Sequence, residues 1–193
     1  MDPIGIVVIV GLLGVGVWLI FAYNKVIALK NSTRDAWSGI DVQLKRRHDL
    51  IPNLVEVVRG YAAHEKNLLE DVTQARSLAL KANSVPEKEA AENQLTSSLK
   101  SILAVAESYP NLMASQNFLT LQSQLTDTEN SIASARAYYN ANVRDLNTAI
   151  QIFPYNMVAQ MFNFEPQDFF QADPEETKDV NLSFTPESPK DLG

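Results

Sequence analysis

Apolar residues along the chain form one unbroken block followed by four periodic stripes. Residues Ile4 to Tyr23 read IGIVVIVGLLGVGVWLIFAY, twenty positions without a charge. A helix of that length rises about 30 Å, the thickness of a bilayer's hydrocarbon core. Beyond the block, apolar positions recur at spacings of three and four, the period of amphipathic helices. The first stripe runs Val26, Leu29, Thr33, Ala36, Ile40, Gln43 or Leu44, and Arg47. No Gly or Pro separates its start from the block, so one helix is able to run from the membrane into the domain. A second helix is expected to open near Asp49, with Pro52 in its first turn where a missing N–H matters least. Its stripe includes Ile51, Leu54, Val55, Val58, Leu69, Val72, Ala75 and Ala79, with Gly60 as a point of bending.

Asn83-Ser84-Val85-Pro86 is the clearest break, with Ser84 as a candidate N-cap. The third stripe follows with Ala91, Leu95, Leu99, Ile102, Ala106 and Tyr109, and Tyr109-Pro110-Asn111 ends it. The fourth extends from Leu112 through Leu119, Leu125, Ile132, Tyr139, Val143 and Leu146 to Ile150, and Phe153-Pro154 stops it. A helical turn is expected over 157–162, followed by an aromatic cluster, Phe162, Phe164, Phe169 and Phe170, folding back as a lid on one end. Val180 to Phe184 alternates, but a lone strand has nothing to pair with. Four stripes joined by short breaks argue for an all-α antiparallel bundle.

The block reads as an uncleaved anchor. A secretory signal needs a positive n-region, a shorter apolar run and a small-x-small cleavage site. Here the n-region is Met1-Asp2-Pro3 and the run ends in Phe21-Ala22-Tyr23. The cations that follow, Lys25, Lys30 and Arg34, place the C-terminal side in the cytoplasm by the positive-inside rule. The expected organisation is an extracytoplasmic N-terminus at 1–3, a transmembrane helix at 4–23, a bundle at 24–171 and a tail at 172–193. From Asp173 the tail holds six acidic residues against Lys178 and Lys190, with Pro174, Pro186 and Pro189, a composition that favours an extended segment. With no cysteine there is neither a disulfide framework nor a thiol for an acyl anchor. A net charge of −7 without a strongly basic stretch argues against nucleic acid.

Several stripe positions are polar: Gln43, Glu65, Arg76, Gln122, Glu129, Arg136, Asn140 and Asn147. An unpaired buried charge is expensive, so Arg76 and Arg136 are expected to balance Glu65 and Glu129. The plain reading is a network fixing helix register. The sharper one is a ligand-binding or hydrolytic site, which demands a solvent-reachable cavity at those four residues. Metal chemistry fails on residues. Helical dimetal sites use Glu-x-x-His, but Lys45 and Tyr61 stand three before the two histidines, His48 and His64. His64-Glu65 opens a zincin-like pattern that Leu68 interrupts. No Gly-rich phosphate loop and no G-x-S-x-G follows the anchor, so no catalytic residue, cofactor or metal is assigned.

Lys45-Arg46-Arg47-His48 is the strongest cation cluster and reads as a solvated or paired charge run at the end of the first helix, with docking of an acidic partner as the alternative. It lies about 30 Å beyond Tyr23 along a straight helix, several times the roughly 8 Å screening length, so direct lipid attraction is weak.

The run from Ala36 through Trp37-Ser38-Gly39-Ile40 and Lys45-Arg46-Arg47-His48 to Ile51-Pro52-Asn53-Leu54-Val55 resembles the signature of the LemA family. Gly60-Tyr61, His64-Glu65, Ala75-Arg76, Glu129-Asn130, Ala135-Arg136, Tyr139-Asn140, Asn147, Phe153-Pro154, Phe162-Asn163-Phe164 and Phe169-Phe170 extend the match over nearly the whole chain. The resemblance implies an up-and-down four-helix bundle behind an N-terminal anchor in the bacterial inner membrane, without an established enzymatic activity. Magnetosome-associated members point to membrane organisation; lipid-anchored members need a cysteine this chain lacks. The expected role is a membrane-tethered scaffold or adaptor that self-associates or contacts other membrane proteins. Regulation of a membrane protease or transporter is a further reading. Gly5, Gly11, Gly14 and Gly16 would permit close helix approach, although none has G-x-x-x-G spacing.

Overall fold

The computed structural model describes residues 2–170, and the acidic tail and the alternating segment 180–184 lie outside them. Six helices occur among the described residues: α1 (Pro3–Tyr61), α2 (Lys66–Lys81), α3 (Val85–Ala106), α4 (Pro110–Met113), α5 (Gln116–Gln151) and α6 (Tyr155–Met161). There is no strand among them. The fold is all-helical, with four long helices running up, down, up and down.

α1 is a single helix of 59 residues, about 88 Å long at 1.5 Å per residue. The separate helix expected to open near Asp49 does not exist: α1 continues through Pro52 and ends only at Tyr61. Its first buried residues are Ala22 and Val26, and the positions before them present Ile4, Val7, Leu12 and Leu13 to the surroundings. The apolar block before Ala22 therefore stands clear of the bundle, while the same helix forms one of its walls.

α5 packs antiparallel along α1. Arg47 meets Glu129 and Val26 shares a cluster with Ile150, so a step up α1 matches a step back along α5. The α2–α3 hairpin covers only the upper part of this pair. Ser84 opens α3 with a capping box: its Oγ accepts from Glu87 N, and Glu87 Oε2 accepts from Ser84 N. Lys88 then ties α3 to α1, with its Nζ 2.5 Å from Asp41 and 5.1 Å from the centre of the Trp37 ring. Below that level the body is α1, α5 and α6.

Three apolar clusters stack along the bundle. The upper one joins Leu54 and Val58 to Val72, Leu95, Ile102 and Phe118. The middle one joins Ile40 and Leu44 to Ile132, Tyr139, Val143 and Phe170. The lowest joins Val26 to Leu146, Ile150 and Ala159.

The chain leaves α6 through a Schellman turn, with Asn163 in the left-handed region (φ 52°) and Phe164 N bonded to Ala159 O at 2.9 Å. It then climbs back beside α5. Phe162 and Phe164 stay at the base, against Tyr23 at 4.7 and 5.9 Å, whereas Phe170 is buried against Trp37. The aromatic cluster is thus a strap along the bundle rather than a lid on its end.

Candidate functional site

The polar centre of the bundle lies between the upper and middle apolar clusters, where all four long helices meet at Arg47 and His48. The Arg47 side chain is wholly buried. It donates to Glu92 on α3, to Thr96 at 3.0 Å, and to Glu129 on α5 at 2.6 Å. His48 Nε2 lies 2.8 Å from the other Glu92 oxygen. From α2, Arg76 Nε donates to the backbone carbonyl of His48 at 2.8 Å.

That last bond has a local cause. Pro52 has no N–H, so the carbonyl four residues earlier, at His48, loses its helical donor. Arg76 supplies a replacement from the neighbouring helix. One proline thereby becomes a docking point for α2 instead of a helix end.

The electrostatics follow from burial. Burial alone raises the Glu92 carboxyl pKa, but the hydrogen bond from His48 and the positive charge of Arg47 outweigh it, leaving a net lowering. Glu129 stands at the rim with 39 % of its side chain exposed, so the cluster reaches solvent on the α5 side. His48 and Glu92 are both buried, which closes the pair to a substrate and suits it to holding helices together.

Sequence-predicted residues divide accordingly. Glu129 enters the central cluster, but its partner is Arg47, and Arg47 is therefore not part of a solvated cation surface. Its burial follows from its place on the Ile40, Leu44, Arg47, Ile51, Leu54 face of α1. Lys45 and Arg46 remain exposed, Lys45 bonded to Asp49 at 2.7 Å. Glu65 accepts from the Tyr109 hydroxyl at 2.9 Å, and this hydrogen bond raises the tyrosine pKa. Arg136 lies over the Phe170 ring at 4.4 Å. Gln43 has a shielded Oε1 without a hydrogen-bond partner among the described residues.

Glu65, Arg76, Glu129 and Arg136 consequently do not share a cavity. Arg76 borders an open depression of about 440 Å³ with Pro52, Glu56 and Arg59, and the other three form no part of its wall. Among the described residues no three His, Cys, Asp or Glu side chains gather as a metal site. Glu92, which belongs to no sequence motif, precedes Leu95, Leu99 and Ile102 at helical spacing and belongs to their face.

Asn140 and Asn147 serve the strap. Asn147 Nδ2 donates to Gln167 O and its Oδ1 accepts from Gln167 N, both at 2.9 Å. Asn140 treats Phe170 in the same way, at 2.7 and 2.9 Å. Seven helical residues rise about 10.5 Å and three extended residues span about 10 Å, so the two amides are spaced to grip every third residue of an extended chain. The Tyr139 hydroxyl adds a bond to Asp168 O at 2.9 Å; burial first, then the Asp168 charge, raises its pKa.

A family model described as the LemA family matches residues 36–184, a span that contains this whole polar centre and the strap. The chain belongs to the LemA family. Among LemA-related proteins it is 28 % identical to Protein LemA of Metamycoplasma hominis, over 83 % of this chain and 74 % of that one. It is 24 % identical to Magnetosome protein MamQ 2 and to Magnetosome protein MamQ 1 of Paramagnetospirillum magneticum, over 81 % of this chain and 67 % of theirs. None of these names carries a catalytic activity.

Proposed function

We propose that this LemA-family chain is a single-pass membrane scaffold or adaptor that acts through protein contacts, including self-association. The observation that carries the reading is the continuity of α1 from Pro3 to Tyr61. Residues of the block face outward, and the same rod becomes a bundle wall without an intervening linker. An anchor built this way sets the height and direction of the domain as well as tethering it. Lys25, Lys30 and Arg34 support a bundle on the cytoplasmic face of the inner membrane. A magnetosome role belongs to the MamQ proteins by name; for this chain it supports only a membrane-organising role.

The test has two arms. Full-length protein in detergent, sized by light scattering across concentration, is expected above monomer mass; a strict monomer throughout removes self-association. Photocrosslinkers at the exposed Lys45 and Arg46 positions in native membranes should capture the same neighbours repeatedly, and capture of none removes the adaptor role. A maleimide reagent that cannot cross the membrane, applied to single cysteines at position 2 and in the tail, reads the sidedness.

A further inference from the structure

We propose that the base of the bundle is itself a membrane-binding surface: the α5–α6 turn and the outer face of α6 rest in the bilayer interface beside the anchor. The inference rests on the reading of Ile4 to Tyr23 as membrane-spanning. Three observations carry it.

The first is an uncovered apolar surface. Ile152, Phe153, Met157, Met161 and Phe162 are all exposed, Phe153 by 77 % and Met161 by 64 %. Met157 and Met161 stand four apart on one face of α6, and Val158 and Ala159 are buried behind them. Exposed apolar residues scattered singly are ordinary, but a group of this size concentrated at one end calls for a cover.

The second is position. The antiparallel register that matches Arg47 with Glu129 and Val26 with Ile150 brings Phe153 level with Tyr23. Phe162 confirms that level directly, its ring centre 4.7 Å from that of Tyr23. Tyr23 ends the apolar block, so the exposed group sits where the bilayer's headgroup region must begin. It is continuous with the lipid-facing surface of the anchor.

The third is chemistry. From Leu146 to Phe164 there is no Asp, Glu, Lys or Arg, nineteen residues in a chain that is otherwise one-fifth charged. Lys25 and Lys30 project from the first turns of α1 above the block, and Lys30 Nζ lies 5.8 Å from the Phe164 ring centre. Apolar side chains below and lysines at their edge are the arrangement of an interfacial helix, with the lysines meeting lipid phosphates.

Site-directed spin labelling tests the proposal, because the chain has no cysteine to remove. Full-length Leu12→Cys, Phe153→Cys, Met161→Cys and Leu80→Cys variants carry a nitroxide in vesicles containing about one-quarter anionic lipid. The readout is the collision rate with oxygen, which prefers lipid, relative to a water-soluble nickel complex. At Phe153 and Met161 the oxygen-to-nickel ratio should rise well above that at Leu80, toward that at Leu12. A lipid-like ratio at Leu12 with water-like ratios at both base positions overturns the proposal and leaves the anchor intact. Low collision rates with both reagents at the base mean a protein cover, a second copy or another chain, and also overturn it. A water-like ratio at Leu12 removes the membrane-spanning reading and this proposal with it.

Discussion

Arg76 donates from its Nε to the carbonyl of His48, the one carbonyl that Pro52 deprives of a helical partner. A proline inside a helix ordinarily bends or ends it. Here the lost bond is replaced from α2, and α1 continues for nine residues beyond Pro52. Arg76→Met should leave that carbonyl without a donor and destabilise the bundle by about 1–3 kcal/mol. Pro52→Ala restores the N–H, so the same arginine substitution should matter less in that background. A double-mutant cycle from denaturant unfolding measures the coupling; independent, additive effects would mean that Arg76 does not serve the proline.

Removing Glu92 should be severe. Glu92→Gln leaves the buried Arg47 with only the rim carboxylate Glu129 and Thr96, a loss of about 3 kcal/mol. That corresponds to roughly 6–12 °C in melting temperature for a chain of this size. A change within 2 °C would place the ion pair among the energetically neutral ones.

The same residue predicts a pH dependence. The Glu92 pKa is lowered from an ordinary 4.5, so its contribution is fully present above that value and is lost as pH falls through the folded-state pKa. The stability gap between the native chain and Glu92→Gln should therefore be constant near neutrality and narrow below about pH 4.5. Melting curves of both proteins from pH 7 to pH 3 measure it. A gap that widened on acidification would contradict the lowered pKa.

Much of this was legible in the sequence, and the exceptions share one cause. Stripes such as Leu95, Leu99 and Ile102 report burial directly, since the helical period maps onto one face. Ser84 announces the α3 cap because a cap acts within its own turn. Arg47 carried conflicting signals: its spacing put it inside, while Lys45 and Arg46 beside it suggested solvent. Spacing decided, because Glu92 and Glu129 were available across the bundle to neutralise it. Pro52 suggests a helix start in the sequence, because the donor that replaces its missing N–H lies on another helix. The positions of Asn140 and Asn147 suggest a role in helix register, yet their partners are backbone groups of a strap that has no periodicity to reveal it. What escaped was pairing between residues distant in sequence.

The strap supplies its own test. Asn147→Ala and Asn140→Ala each remove two hydrogen bonds to the extended chain, a loss of about 1–2 kcal/mol per variant. Amide exchange at Gln167 should quicken in the first and at Phe170 in the second, while α2 and α3 amides keep their protection. Unchanged exchange at both positions would mean that Phe170, buried against Trp37, holds the strap alone.

The division of α1 into an exposed apolar segment and a bundle wall makes the final prediction. No described residue before Ala22 is buried against the domain, so residues 2–21 add nothing to its core. Deleting residues 2–21 should leave a helical body that unfolds cooperatively in buffer, with a melting temperature within about 4 °C of the full chain's, the shift expected for about 1 kcal/mol. The base of that truncated body still exposes Phe153, Met157 and Met161, so it should bind anionic vesicles weakly and release them in high salt as the lysine contribution is screened. Loss of cooperative melting on deletion would show that the apolar segment of α1 stabilises the bundle directly. The rod would then be a structural requirement of the fold as well as the device that orients it.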